Sequence, residues 1–184
     1  MILLCLCTWC AWWYLWHFAW PRHHAPTSWE GGLRRLTHLI PLMVGCSLIF
    51  APAFITPLYP LHLYRIVKTL GLIPLYGGLW FTILSRKYLG DNWSHLVEVK
   101  SDQELVTTGP YSIVRHPIYT GLILAMGGTV LTADTWGAVV GYAFFVLAFV
   151  IKASHEEQML EERFSASFKC WKWDTRDRII PFIY

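Results

Sequence analysis

Two short stretches of this 184-residue chain concentrate groups able to bind or polarise a ligand. The first runs Thr107-Thr108-Gly109-Pro110-Tyr111-Ser112-Ile113-Val114-Arg115-His116-Pro117-Ile118-Tyr119-Thr120-Gly121. Gly109-Pro110 is a turn signal, and Pro117 suits the first position of a helix, where a missing N–H costs nothing. A helix N-terminus presents unpaired N–H groups and the positive end of the helix dipole, which favours a carboxylate or another anion. Arg115 adds a fixed cation there, while Tyr111, His116 and Tyr119 add flat and hydrogen-bonding surfaces. The same residue types also make ordinary anchors at a membrane boundary, so both readings stand. The second stretch is Glu156-Glu157, preceded by Lys152. A carboxylate there can hold an ammonium group or ribose hydroxyls. It can equally solvate a helix face, with Lys152 and Glu156 as an i,i+4 pair.

The elements that must position these residues are apolar. The chain is 55% hydrophobic and 15% charged, against about 25% charged in soluble domains. Apolar runs cover about Met1–Trp20, His38–Tyr59, Thr69–Leu84, Ile118–Leu131 and Gly137–Ile151. A membrane span needs roughly 20 mostly apolar residues, and only helices or closed barrels satisfy the backbone in lipid. Barrel strands would alternate polar and apolar residues, and these runs do not. The sequence therefore predicts one all-α domain over 1–184, a polytopic transmembrane helical bundle of about five spans. The first run lacks a charged n-region and a small-residue cleavage site, so it reads as a retained span. Pro41, Pro52 and Pro57 should kink or bound the second. Gly71, Pro74, Gly77 and Gly78 should let a neighbour approach the third.

Only Thr132-Ala133-Asp134-Thr135 separates the last two runs, which implies an antiparallel helical hairpin. Arg115-His116-Pro117 and His155-Glu156-Glu157 must then lie on one side of the membrane. Beyond Ile151 the helix should continue, since Leu160, Phe164, Phe168 and Trp171 recur at helical spacing. Glu161, Glu162, Arg163, Lys169 and Lys172 fill the other face, the pattern of a cytosolic interfacial helix. The tail Arg178-Ile179-Ile180-Pro181-Phe182-Ile183-Tyr184 is apolar enough to return to the bilayer.

Charge excludes some partners and sets the orientation. The net charge is +3, and no basic stripe interleaved with aromatics suggests nucleic acid. Cys5, Cys7, Cys10 and Cys46 lie in apolar runs, and no His or Cys set follows at zinc spacing, so no metal is expected. With five spans, one side holds Arg22, Arg34, Arg35, Arg86, Lys87, Lys100, Arg115 and the tail, the other chiefly Arg65 and Lys68. The basic side should be cytoplasmic, with the N-terminus outside. No run carries a mid-span acid of the kind that marks ion pathways.

Gly109-Pro110-Tyr111, Arg115 to Gly121, Glu156-Glu157 with Phe164 and Phe168, and Ile180-Pro181-Phe182 together resemble the isoprenylcysteine carboxyl methyltransferase family, over about Leu89–Tyr184. The resemblance implies an enzyme of a bacterial inner membrane or an endomembrane, using S-adenosyl-L-methionine. It would O-methylate the carboxylate of an isoprenylcysteine-like or other lipophilic acceptor at the cytoplasmic face. It divides the chain into N-terminal spans, 1–88, and a cofactor-binding catalytic half, 89–184. The implied cofactor contacts are Glu104, Leu105, Val106, Tyr111, His116, Pro117, Ile118, Tyr119 and Glu156. The family's substrate-holding basic residue, often arginine, falls at Lys152, which lacks the bidentate fork; Arg115 or Arg176 are the alternatives. The nearest rival is a phospholipid N-methyltransferase, where an ethanolamine ammonium must first lose a proton to a base such as Glu157 or His116. A non-enzymatic membrane scaffold or transporter subunit is the third reading, and it predicts no cofactor affinity.

Overall fold

A computed structural model describes residues 1–18, 28–29, 32–54, 59–93, 98–99 and 104–181. Each apolar run forms a helix: α1 Ile2–Phe18, α2 Gly32–Phe50, α3 Arg65–Leu70 running on into α4 Leu72–Leu89, α5 Pro117–Ala133, and α6 Trp136–Asp174. Gly32–Ala53, Arg65–Leu89 and Trp136–Asp174 are long and apolar enough to cross a membrane. α1 and α5 have 17 residues each, or about 26 Å at the helical rise. A two-residue antiparallel pair, β1 Ser28–Trp29 with β2 Glu98–Val99, ties the approach to α2 to the chain beyond α4.

Two boundaries differ from expectation. α2 begins ahead of His38, because Arg34 and Arg35 are tolerated where a helix end reaches water, and it runs through Pro41 without ending. Pro52 does stop it, in the turn Ala51–Ala53. Pro57, Arg22, Lys100 and the last residues Phe182, Ile183 and Tyr184 lie outside the described residues.

The helices pair as α2 along α6 and α4 along α5. α1 lies over α4 and α5, held by polar contacts that an apolar seam cannot replace. Trp9 Nε1 donates to Thr129 (2.9 Å), Trp12 Nε1 donates to Thr82 (3.0 Å), and Cys5 meets Thr132 (3.0 Å). An indole N–H away from water needs such a partner. One core cluster takes Ile49 from α2 together with Tyr119, Ile123 and Met126 of α5 and Phe145 and Phe149 of α6. The outer faces are apolar and exposed: Leu3, Trp13 and Phe18 of α1, Leu36, Ile40 and Met43 of α2, Ile73 and Trp80 of α4. Apolar exposure on this scale marks a surface made for lipid. The chain is a multi-pass membrane protein.

The predicted hairpin is present. Asp134 takes the left-handed conformation that closes α5, and Thr135 caps α6 by accepting Ala138 N–H (3.1 Å). Asp134 also pairs with Lys68 (2.8 Å) and accepts Leu63 N–H (2.9 Å), which gathers the chain ahead of α3 to the same end. The opposite end of the bundle is where the two polar motifs meet.

α6 continues well beyond its apolar run, but it bends at Ser165 (φ 43°, ψ −103°). The bend turns Phe168 and Trp171 onto Tyr111, with Leu89, Leu105, Val106, Leu160 and Phe164 around them. The apolar face expected on a membrane surface is therefore buried on the protein's own loop. Lys172 and Trp173 face outward.

Candidate active site

Arg115 and His116 enter α5 in non-helical backbone and so have N–H groups to offer. The chain leaving α6 supplies the acceptors. Arg115 N–H bonds Asp177 O (3.0 Å) and His116 N–H bonds Arg178 O (2.9 Å). The Arg115 side chain reinforces this strap, with Nη1 2.6 Å from both Thr175 O and Arg176 O. Thr120 donates its hydroxyl to Ile179 O.

Glu157 sits under the strap and is 3% exposed. It accepts from Arg115 Nε (2.8 Å), Arg178 Nη2 (2.6 Å) and His116 Nε2 (3.3 Å). Arg178 also donates through Nη1 to Ser154 Oγ (3.0 Å). Charge-assisted bonds of this kind are the strong ones, and together they surround the Glu157 carboxylate. Glu156, one residue earlier, points to a different group. Tyr119 donates its hydroxyl to it, His116 Nδ1 lies 3.5 Å away and Lys152 Nζ 3.9 Å away. Tyr119 stacks on His116 (5.3 Å between centroids, 3° between planes), and Lys152 Nζ sits 5.4 Å above the Tyr119 ring.

His116 thus bridges both carboxylates. Burial pulls its pKa down, but the bonds to Glu156 and Glu157 push harder, and the result lies above the ordinary imidazole value. A raised folded pKa contributes stability that is fully present below the unfolded value of about 6.5 and is lost as pH rises through the folded one. The melting temperature in detergent should therefore fall as pH climbs past 6.5, and His116→Gln should flatten that slope. Tyr111 is buried, and burial, with Glu156 nearby, pushes its phenol up, so it stays neutral. Its carbonyl accepts Trp171 Nε1 (3.1 Å).

Glu104 and Leu105 border a cleft of about 520 Å³, walled also by Thr107, Phe164, Ser167, Trp171 and Asp174. Val106 packs beside it against the Tyr111 cluster. Pro117 and Ile118 form the first turn of α5. Hence Glu104, Leu105, Val106, Tyr111, His116, Tyr119, Lys152 and Glu156 are gathered at one end. The other three expected groups, Arg115, Arg176 and Glu157, have different surroundings. Arg115 is engaged by Glu157 and by the carbonyls of the strap. Arg176 is exposed, its guanidinium 5.5 Å from the Trp173 ring. Glu157 is enclosed by the donors of Arg115, His116 and Arg178. Arg178 was missed: it lies in a tail read as apolar, and no local spacing ties it to Glu157.

A charged cluster closed by the chain after α6 thus lies at one end of a helical membrane bundle. Residues 66–167 match the phospholipid methyltransferase family, and the chain belongs to that family. It is 31% identical over 107 residues to the protein-S-isoprenylcysteine O-methyltransferase of Saccharomyces cerevisiae, over 56% of this chain and 45% of that protein. It is 32% identical over 85 residues to protein-S-isoprenylcysteine O-methyltransferase B of Arabidopsis thaliana, over 43% of this chain and 42% of that protein. The chain spans less than half the length of these curated relatives. Its fold is similar to that of the eukaryotic intramembrane Ras methyltransferase ICMT, with a TM-score of 0.56 and 23% identity over 82% of this chain and 52% of that one.

Proposed function

We propose that the protein transfers a methyl group from S-adenosyl-L-methionine to the carboxylate of a lipophilic, isoprenylcysteine-like acceptor at the cytoplasmic membrane face. The observation that carries this is the convergence of Glu156, Tyr119, His116 and Lys152 at one end of the helical bundle. The names of the relatives favour the same chemistry. Arg34, Arg35, Arg86 and Lys87 at this end support a cytoplasmic orientation by the positive-inside rule.

The residues fit the donor. Phe164 and Trp171 offer aromatic walls for a purine, Glu104 and Asp174 offer carboxylates for ribose hydroxyls, and Glu156 offers one for the ammonium. The cleft volume lies within the roughly 300–1,000 Å³ usual for small-molecule sites. Leu105, Val106, Tyr111, Pro117 and Ile118 would line the remainder. When bound, the donor supplies an electrophilic methyl on a sulfonium. An acceptor carboxylate is already anionic, so the chain need only align it and exclude water. Lys152, a point charge beside Glu156, would hold that carboxylate.

The family description favours one second reading, N-methylation of a phospholipid amine, which would need a base. Labelled donor offered in parallel with S-farnesylcysteine and phosphatidylethanolamine separates the two. Label in the prenylcysteine, released as methanol by base, is expected; label only in the phospholipid overturns the carboxylate reading, and no donor binding at all favours a scaffold. Lys152→Met should raise acceptor KM by about 10- to 100-fold, the scale of a charge-assisted bond, with donor KM little changed. Lys152→Arg should stay active.

A further inference from the structure

The tryptophan-rich α1 has no part in the chemistry above, yet its end reaches the same side of the bundle as the cleft. Arg86, in the last turn of α4, is 3% exposed. Its Cζ lies 4.4 Å from the Trp16 ring centroid of α1 and 3.5 Å from that of Trp93. Trp16 and Trp93 also meet edge to face, at 5.5 Å and 84°. Trp12 stacks on Trp16 at 4.8 Å and is itself fixed through Thr82. A guanidinium set in the corner of two perpendicular indoles is a strong contact once water is excluded.

Trp93 follows the turn Gly90–Asn92, and Asn92 Oδ1 accepts the Glu104 N–H at 2.8 Å. Glu104 begins the cleft wall. The chain just beyond that wall also packs on α4. Gly109 has φ 62°, and a Cβ there would fall 2.3 Å from the Tyr88 ring.

We propose that Arg86 is a positioning residue for the cleft. Clasped by Trp16 and Trp93, it fixes the turn bearing Asn92, and Asn92 fixes the Glu104 backbone at the cleft edge. The apolar helix α1 thereby sets donor affinity through a chain of contacts. The link to affinity rests on the reading of the cleft as the donor site; the link to Glu104 does not.

The test uses the full chain in detergent, with Arg86→Lys, which keeps the charge and loses the plane, and Asn92→Ala. Hydrogen exchange at the Glu104 amide, without donor, reads the latch alone. Both variants should speed it by about fivefold, the factor for one net hydrogen bond. Calorimetric titration with S-adenosylhomocysteine reads the consequence: each variant weakens binding by a similar factor, and the double variant by no more than the worse single one. In turnover, donor KM rises while kcat and acceptor KM hold. A purely structural Arg86 would lower the melting temperature and leave donor affinity and Glu104 exchange unchanged, which overturns the proposal. Fully additive losses in the double variant overturn it too. If the wild-type chain binds no S-adenosylhomocysteine, the reading of the cleft falls, and Glu104 exchange still decides the latch.

Discussion

Glu157→Ala is expected to destabilise the protein more than any other single change at the site. The carboxylate is buried beneath the strap and receives Arg115, Arg178 and His116 at once. Its removal leaves two guanidinium groups and an imidazole without their shared counter-charge in a site that excludes water. Breaking one side of a buried ion pair costs about 3–5 kcal/mol, and a typical domain has only about 5–15 kcal/mol in hand. The strap would also lose Arg178, one of its side-chain anchors to α6. The melting temperature in detergent should fall sharply, and hydrogen exchange should rise across Thr175–Ile180. Glu157→Gln keeps the shape and one acceptor oxygen, so it should fall between alanine and wild type. Glu156→Gln is the contrasting control. Glu156 is more open and has no guanidinium partner among the described residues. Its loss should weaken donor binding while the melting temperature moves little. A Glu157→Ala protein that melts with wild type would refute the account of the strap.

The contrast between the two glutamates shows what the sequence could and could not convey. The pairing of Arg115-His116 with Glu156-Glu157 was legible because it follows from a short polar link, and the link does cap both helices through Asp134 and Thr135. Helix continuation past Ile151 was legible from its periodicity. Which glutamate meets which partner was not. Adjacent residues on a helix differ by about 100° in direction, so the choice depends on where α5 and the tail lie. Arg178 was hidden for the same reason, since its partner is set by the path of the strap and by no local spacing. The bend at Ser165 has neither Pro nor Gly to announce it. The exposed outer faces, by contrast, follow directly from composition: residues that water would reject are stable against lipid.

Gly78→Ala should have the second large effect, through the seam that places α5. Gly71, at the junction of α3 and α4, and Gly78 of α4 recur at the same spacing as Gly128 and Gly121 of the antiparallel α5, and the two sets meet backbone to backbone. A Cβ on Gly78 would fall 2.4 Å from Gly121 O and 2.5 Å from Ala125 N, and one on Gly128 would fall 2.3 Å from Gly71 O. These obstacles are main chain and cannot swing aside, so the helices must part. Overpacking usually costs about 1–3 kcal/mol, and a backbone obstacle belongs at the upper end. In lipid the loss is direct, because close contact between small residues is what attracts one helix to another. Gly77 provides an internal standard: it lies on the same helix, faces outward, and a Cβ there meets nothing within 4 Å. Gly77→Ala should match or slightly exceed wild-type stability, since alanine is the better helix former by about 1 kcal/mol. Function should separate the positions further. Gly121 lies in the first turns of α5, next to the His116–Tyr119 group, and Gly128 lies near the far end. Gly121→Ala should therefore depress methyl transfer more than Gly128→Ala at equal loss of stability, because it shifts Tyr119 relative to Glu156. Equal melting temperatures for Gly78→Ala and Gly77→Ala would show that the seam does not hold α5 in place.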